Sequence, residues 1–329
     1  MDHAPHLVLR ADAGVSRGLG HAVRSITLGA EFVRRGWSVT LVASELADLP
    51  VSLAQSHGIR VDYVSVKIGS RADAEHLTSI PADLIMIDGY DFNQAFFALL
   101  GACGTPFGVI DDNGESFTPY ARFVINQNLH ARRDLYPADA AAMFLLGPEF
   151  ALIRDEVRSI DRSEPTNRNP RSVLVAIGGT DVAGANARVA EYLAEDAALA
   201  VLVAGGDTPP GTQPAACDVA NDLGSASCAV IGAGSTMWEA CYLETPFVAL
   251  IVAENQLAAA QAVMQRNVGL VIDCRSGVDP QSVAAMVRGL LEDSNRRLGE
   301  ATREGRIIDG TGVVRTADYL ERLVTGATL

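Results

Sequence analysis

Over the first half of the chain, short apolar runs alternate with stretches of helical period. His6 to Arg10 (His-Leu-Val-Leu-Arg) reads as a buried strand and Val39 to Val42 as the next, with Asp83 to Ile87 and Phe107 to Ile110 repeating the theme. Between the first two, Val23, Ile26, Ala30 and Val33 recur at spacings of three and four. They form one face of an amphipathic helix that Gly36 ends. Strand, helix and strand in that order call for right-handed crossovers and a parallel sheet.

The pattern breaks after Arg154. Asp155 to Arg171 is polar, proline-bearing and weakly periodic, and reads as a linker. A second strand-helix series starts at Ser172 to Ile177 and continues through Ala200 to Ala204, Cys228 to Ile231, Phe247 to Val252 and Gly269 to Ile272. The end of the chain reads as helical, punctuated by Asp309-Gly-Thr-Gly312. The expected architecture is therefore two doubly wound α/β domains, 1–155 and 172–329, joined by a linker at 156–171. The last helix is a candidate to pack back on the first domain. A length of 329 residues suits two domains of about 150 each.

Composition narrows the setting. With 48% hydrophobic and 20% charged residues, the chain can bury a sizeable interior. No apolar run reaches the roughly 18 residues of a membrane span, and no signal-peptide pattern opens the sequence. The expectation is a cytoplasmic protein that engages no membrane. A formal charge of -14 argues against a nucleic-acid partner or any broad polyphosphate-binding surface. The five cysteines, Cys103, Cys217, Cys228, Cys241 and Cys274, are scattered and form no Cys-x-x-Cys, so reduced, mostly buried thiols are expected.

Several segments carry candidate chemistry. Gly18-Leu-Gly20-His21 follows the first strand and opens the Val23 helix. Glycines there let backbone approach a ligand, and a helix start favours an anion. Val23 stands where a dinucleotide fingerprint needs its third glycine, and no Gly-Lys-Ser/Thr end marks a phosphate loop. His21 reads either as a base, since imidazole titrates near neutrality, or as a helix-start residue. Asp88 ends a strand, with Tyr90 just beyond, and is the best carboxylate partner for His21. Asp111, Asp112 and Asn113 at another strand end either help or shape a loop.

In the second half, Ile231-Gly-Ala-Gly234-Ser235-Thr236-Met-Trp-Glu239 runs from strand through a glycine turn into a helix. Its backbone N–H groups and the Ser235 and Thr236 hydroxyls suit a diphosphate, and Glu239 suits two neighbouring ribose hydroxyls. A helix cap is the alternative. Gly178-Gly179-Thr-Asp181 is a second permissive loop at a strand's carboxyl end, where open α/β sheets bind ligands. Asn255 and Gln256 offer amides suited to sugar hydroxyls or, equally, to a helix cap. No Asp-x-Asp, His-Glu-x-x-His or Gly-x-Ser-x-Gly occurs, which removes support for metal-dependent transfer, zinc hydrolysis and serine hydrolysis.

Taken in order, these segments resemble one family. Arg10-Ala-Asp-Ala-Gly-Val-Ser-Arg-Gly-Leu-Gly-His-Ala-Val-Arg24 is similar to the opening of the UDP-2,4-diacetamido-2,4,6-trideoxy-beta-L-altropyranose hydrolases of the pseudaminic-acid pathway. The resemblance continues at Ile87-Asp-Gly-Tyr90, Ile125-Asn-Gln-Asn128, Leu145-Leu-Gly-Pro-Glu-Phe-Ala-Leu-Ile-Arg154, Ile177-Gly-Gly-Thr-Asp181, Gly232 to Glu239 and Glu254-Asn-Gln256. It implies a GT-B fold, with two Rossmann-like domains facing each other across a cleft. It also implies a hydrolase without metal or cofactor that attacks the anomeric carbon of a UDP-sugar with water. His21 takes the place of the family's base; Ser235 and Thr236 fall on the diphosphate and Glu239 on the ribose. Gly18, Gly20, Asn255 and Gln256 fall near the diphosphate and sugar. Three departures stand out: Ser25-Ile-Thr27 follows Arg24, Asp88-Gly89-Tyr90 replaces the usual Asp-His-Tyr, and the segment after Gly205-Gly206 is abbreviated. The same scaffold serves glycosyltransferases that pass the sugar to an acceptor hydroxyl, and this is the alternative expectation.

Overall fold

The computed structural model describes residues 4–14, 17–162, 169–178, 184–205, 208–215, 219–293 and 307–326. It divides into two compact units, Met1–Leu152 with Thr311–Leu329 and Ile153–Gly310.

In the first unit the strands are β1 (His6–Ala11), β2 (Ser38–Ala43), β3 (Arg60–Tyr63), β4 (Leu84–Asp88), β5 (Phe107–Ile110), β6 (Phe123–Asn126) and β7 (Met143–Leu146). They form one parallel sheet in the order β3-β2-β1-β4-β5-β6-β7. Alternation along β1 sends Leu7 and Leu9 to one face and Val8 to the other, and each face has its own core. On the Leu9 face, Ile26 and Phe32 of helix α1 (Gly20–Arg34) pack with Val313, Ala317 and Leu320 of the last helix, Gly312–Thr325. The opposite face carries Ala74 and Leu77 of α2 (Arg71–Ser79) and Phe96, Phe97 and Leu100 of α3 (Gln94–Ala102).

Helix α1 ends as its sequence dictates. Gly36 takes φ +85, Gly36 N–H donates to Val33 O at 2.9 Å, and Trp37 N–H donates to Phe32 O at 3.0 Å. That is a Schellman closure, and the Phe32 and Trp37 rings, 4.8 Å apart, supply its apolar contact.

The second unit repeats the scheme with β8 (Asn169–Ala176), β9 (Ala200–Val203), β10 (Gln213–Pro214), β11 (Ala226–Gly232), β12 (Phe247–Ile251) and β13 (Leu270–Asp273). The order is β10-β9-β8-β11-β12-β13, again parallel. Both sheets reverse direction beside their first strand, between β1 and β4 and between β8 and β11. Open α/β sheets bind ligands beyond the carboxyl ends of the strands at such switch points. The Gly18 loop and Asp88 lie there in the first unit, Gly178 and Gly232 in the second.

The polar stretch after Arg154 differs from a free linker. The second unit begins at Ile153 and takes the described part of that stretch in. Val157 is fully buried, a one-turn helix spans Asp155–Arg158, and β8 starts at Asn169 rather than at residue 172. Polar contacts anchor it: the Arg162 guanidinium lies 4.1 Å over the Tyr242 ring and donates to Tyr242 O at 2.7 Å. The last helix groups with the first unit, which therefore comprises both ends of the chain. Among the described residues no helix is long and apolar enough to cross a membrane. Cys228, Cys241 and Cys274 are buried and Cys103 is exposed, all as free thiols; Cys217 lies outside the described residues.

Candidate active site

In the first unit, three strand ends and one helix converge on two carboxylates, Asp88 and Asp112, that share Arg24. His21 is the second residue of α1, and its Nδ1 lies 2.6 Å from Oδ1 of Asp88 at the end of β4. Asp88 is fully buried while the imidazole keeps 15% of its surface. One turn along α1, Arg24 donates from Nε to Asp88 Oδ2 and from Nη2 to Asp88 Oδ1, both at 2.7 Å. Its Nη1 donates to Asp112 Oδ1 at 2.7 Å, and Nη2 reaches Asp112 Oδ2 at 3.1 Å. Asn128 Nδ2 donates to Asp112 at 2.9 Å and the Tyr90 hydroxyl at 2.5 Å. Tyr90 also meets the His21 ring edge-on, centroids 4.9 Å apart.

This arrangement fixes how the His21 ring is turned and which charges lie beside it. Burial alone raises the Asp88 carboxyl, but the Arg24 guanidinium and His21 outweigh it, and the net shift is downward. The same holds for Asp112, where Arg24 overcomes the burial effect and drives the carboxyl far down. Arg24, between two carboxylates, is held well above its ordinary value although burial works the other way. Asp88 is therefore an anion facing Nδ1, with Arg24 Nη2 3.1 Å from the same nitrogen, and when Nδ1 carries the proton the imidazole lone pair falls on Nε2. Nε2 makes no hydrogen bond among the described residues.

Linkage gives a prediction. Both carboxyls sit below the ordinary value of about 4. The stability they supply is therefore complete above that pH and is lost as the pH falls through their folded values. Thermal melts from about pH 5 down to about pH 2 should show a steep loss of stability that Asp112→Asn makes shallower. An unchanged slope in that variant would remove Asp112 from the balance.

Asp111 and Asp112 separate into different roles. Asp111 turns inward, accepts the Asn113 and Ser116 N–H groups at 3.2 and 3.3 Å, and is raised by burial; it shapes the loop. His130, which no sequence pattern partnered, places Nε2 2.8 Å from Asp112 O, and burial lowers it. His6 holds Pro81 O and Thr40, and His76 holds Asp62, which makes both structural.

Beneath the Gly18 loop lies a buried ion network. Arg10 is fully buried and forks Asp73 at 2.9 and 3.1 Å while Nη1 donates to Asp12 at 2.5 Å. Asp12 in turn accepts the Ser44 and Glu45 N–H groups at 2.6 and 2.9 Å, tying the end of β1 to that of β2. Above it, Gly18 takes φ +73 and pairs with Gly14 across an isolated bridge, and Gly20 is the first residue of α1.

In the second unit, a Cβ on Gly232 would lie 2.3 Å from Ile177 O, so only glycine lets β11 and the end of β8 approach this closely. Gly234 is exposed, with open space over it. Ser235 and Thr236, partly exposed, make no side-chain hydrogen bond among the described residues. Glu239 is buried, its carboxylate forked by Arg154 at 2.7 and 3.0 Å. Gly178 is exposed at the end of β8; Gly179, Thr180 and Asp181 lie outside the described residues. Asn255 is exposed, whereas the Gln256 amide oxygen turns inward to accept Val252 and Ala253 N–H at 2.8 and 3.3 Å. The Gln256 NH2 makes no hydrogen bond among the described residues. Among the described residues no group of three His, Cys, Asp or Glu could hold a metal ion.

Sequence reasoning missed Arg24 as a site residue and left Asp112 open. Arg24 was detectable, because a basic residue three positions after His21 shares its helix face.

The fold is GT-B. Solved glycosyltransferases match it over nearly the whole chain. The calicheamicin glycosyltransferase CalG4 gives a TM-score of 0.66 at 18% identity over 99% of this chain and 100% of its own. MurG of Acinetobacter baumannii gives 0.67 at 14% over 97% and 99%. LpCGTa, solved in complex with UDP, gives 0.66 at 13% over 97% and 99%. By sequence, the spore coat polysaccharide biosynthesis protein SpsG of Bacillus subtilis is 20% identical over 97% of this chain and 98% of its own. An uncharacterised protein of Methanocaldococcus jannaschii is 20% identical over 194 residues, covering 57% of this chain and 39% of that protein's length. This chain thus spans well under half of that relative. No protein-family model matches the chain.

Proposed function

We propose that this protein is a nucleotide-sugar-dependent glycosyltransferase in which His21 is the base. One observation carries the reading: Asp88 fixes the imidazole so that the Nε2 lone pair is uncommitted at a sheet switch point. An acceptor hydroxyl gives its proton to Nε2 as its oxygen bonds the anomeric carbon. The bond from that carbon to the phosphate oxygen breaks, and the nucleoside diphosphate leaves with the electron pair. Asp88 then faces an imidazolium and offsets its charge. The Gly234 turn with Ser235 and Thr236 holds the diphosphate in this reading, with Asn255 and Gln256 near the sugar. Support comes from the GT-B fold shared with CalG4 and MurG and from the end-to-end likeness to SpsG.

Hydrolysis is the second reading, and the ordered motif set from Arg10 to Gln256 favours it. It needs the same base and differs only in that water supplies the attacking oxygen. Incubation of the protein with a panel of nucleotide sugars, without acceptor or metal, separates the two by mass spectrometry. Transfer predicts binding with no sustained release of free sugar. Turnover to free sugar and nucleoside diphosphate would instead establish the hydrolase.

A further inference from the structure

The Glu239 carboxylate is already engaged by protein. Arg154 Nε donates to Oε1 at 2.7 Å and Nη2 to Oε2 at 3.0 Å, and the two side chains retain 18% and 10% of their surface. Arg154 is held in place by its neighbours along the chain, since Ile153 and Val157 are buried in the same unit. Two parallel N–H···O bonds, one to each oxygen, use the inner lone pair of each oxygen, the edge between them. Two neighbouring hydroxyls chelating a carboxylate would need that same edge. With Arg154 on it, each oxygen keeps only its outer lone pair, and the outer pairs point apart. A vicinal diol cannot reach both at once. Nor are two neutral hydroxyls a match for a charged fork that is mostly shielded from water.

We propose that Glu239 reads a single hydroxyl of the nucleotide ribose, and that Arg154 is the positioning residue that imposes this. The site then admits nucleoside diphosphates lacking the other hydroxyl, so one deoxyribose isomer is accepted as well as ribose. This rests on the reading of Glu239 as the ribose-facing carboxylate.

Calorimetric titration of the full-length protein with UDP, 2′-deoxy-UDP and 3′-deoxy-UDP tests it on the unaltered chain. One analogue is expected to bind about tenfold more weakly than UDP, the loss of one hydrogen bond to a charged acceptor, and the other within about twofold. Equal losses for both analogues would show that the diol displaces Arg154; the inference then falls while the ribose reading stands. No loss for either analogue, or no UDP binding at all, would remove Glu239 from the nucleotide site and the inference with it. Arg154→Met and Arg154→Lys supply the second readout, with melting temperatures to verify folding. Neither can fork the carboxylate, so both analogues should become similarly impaired. A purely structural Arg154 would shift all three nucleotides by the same factor and leave the discrimination unchanged, which would overturn the proposal.

Discussion

Replacing His21 by asparagine is expected to lower turnover at least ~100-fold while leaving UDP affinity nearly intact. Asparagine is the informative choice. Its amide can still donate to Asp88, which lies 2.6 Å from Nδ1 in the native protein, so the buried carboxylate is not stranded. What disappears is the basic lone pair at Nε2. The residues proposed to hold the nucleotide, Gly234, Ser235 and Thr236, belong to the other compact unit, so binding and chemistry should part company in this variant. Steady-state kinetics alongside calorimetry with UDP would show it. Wild-type turnover in the variant would remove His21 from the chemistry, and a matching loss of UDP affinity would make it a binding residue.

The largest effect on stability is expected at Arg10. Its guanidinium is fully buried and satisfies Asp73 and Asp12, themselves 0% and 5% exposed. Arg10→Met keeps much of the volume but leaves two shielded carboxylates facing each other without a cation. Breaking a buried pair in this way costs about 3–5 kcal/mol, a large share of the stability of an ordinary domain. Urea unfolding would measure it. Adding Asp73→Asn and Asp12→Asn to the same chain should recover part of the loss, because the uncompensated charge goes with them. A shift below about 1 kcal/mol in the single variant would mean that water reaches the network.

How much could be read in advance depended on burial. Strands such as β4 and β12 are covered on both faces, so they stand out as apolar runs. Strand β3, Arg60-Val-Asp-Tyr63, is an edge strand with both ends exposed and no such run. Strands β6 and β7, four residues each, went unread although β5 of the same length was found, and β10 has only two residues. The candidate site divides in the same way. His21 and the Gly234 turn are local patterns, visible within a few residues of sequence. The Arg24 to Asp112 pair joins residues 88 positions apart, and no local pattern reports a partner at that range. The pairing of Arg154 with Glu239, 85 positions apart, is equally silent along the chain.

The last helix bears on how the protein is made. Its residues Val313, Ala317 and Leu320 cover the apolar side of α1, yet they are translated after all of the second unit. The unit whose sequence begins first is thus completed last, and the ribosome delivers the whole of its neighbour in between. Until then the α1 stripe lacks its lid, and a nascent chain presents to chaperones an exposed greasy strip that the finished protein conceals.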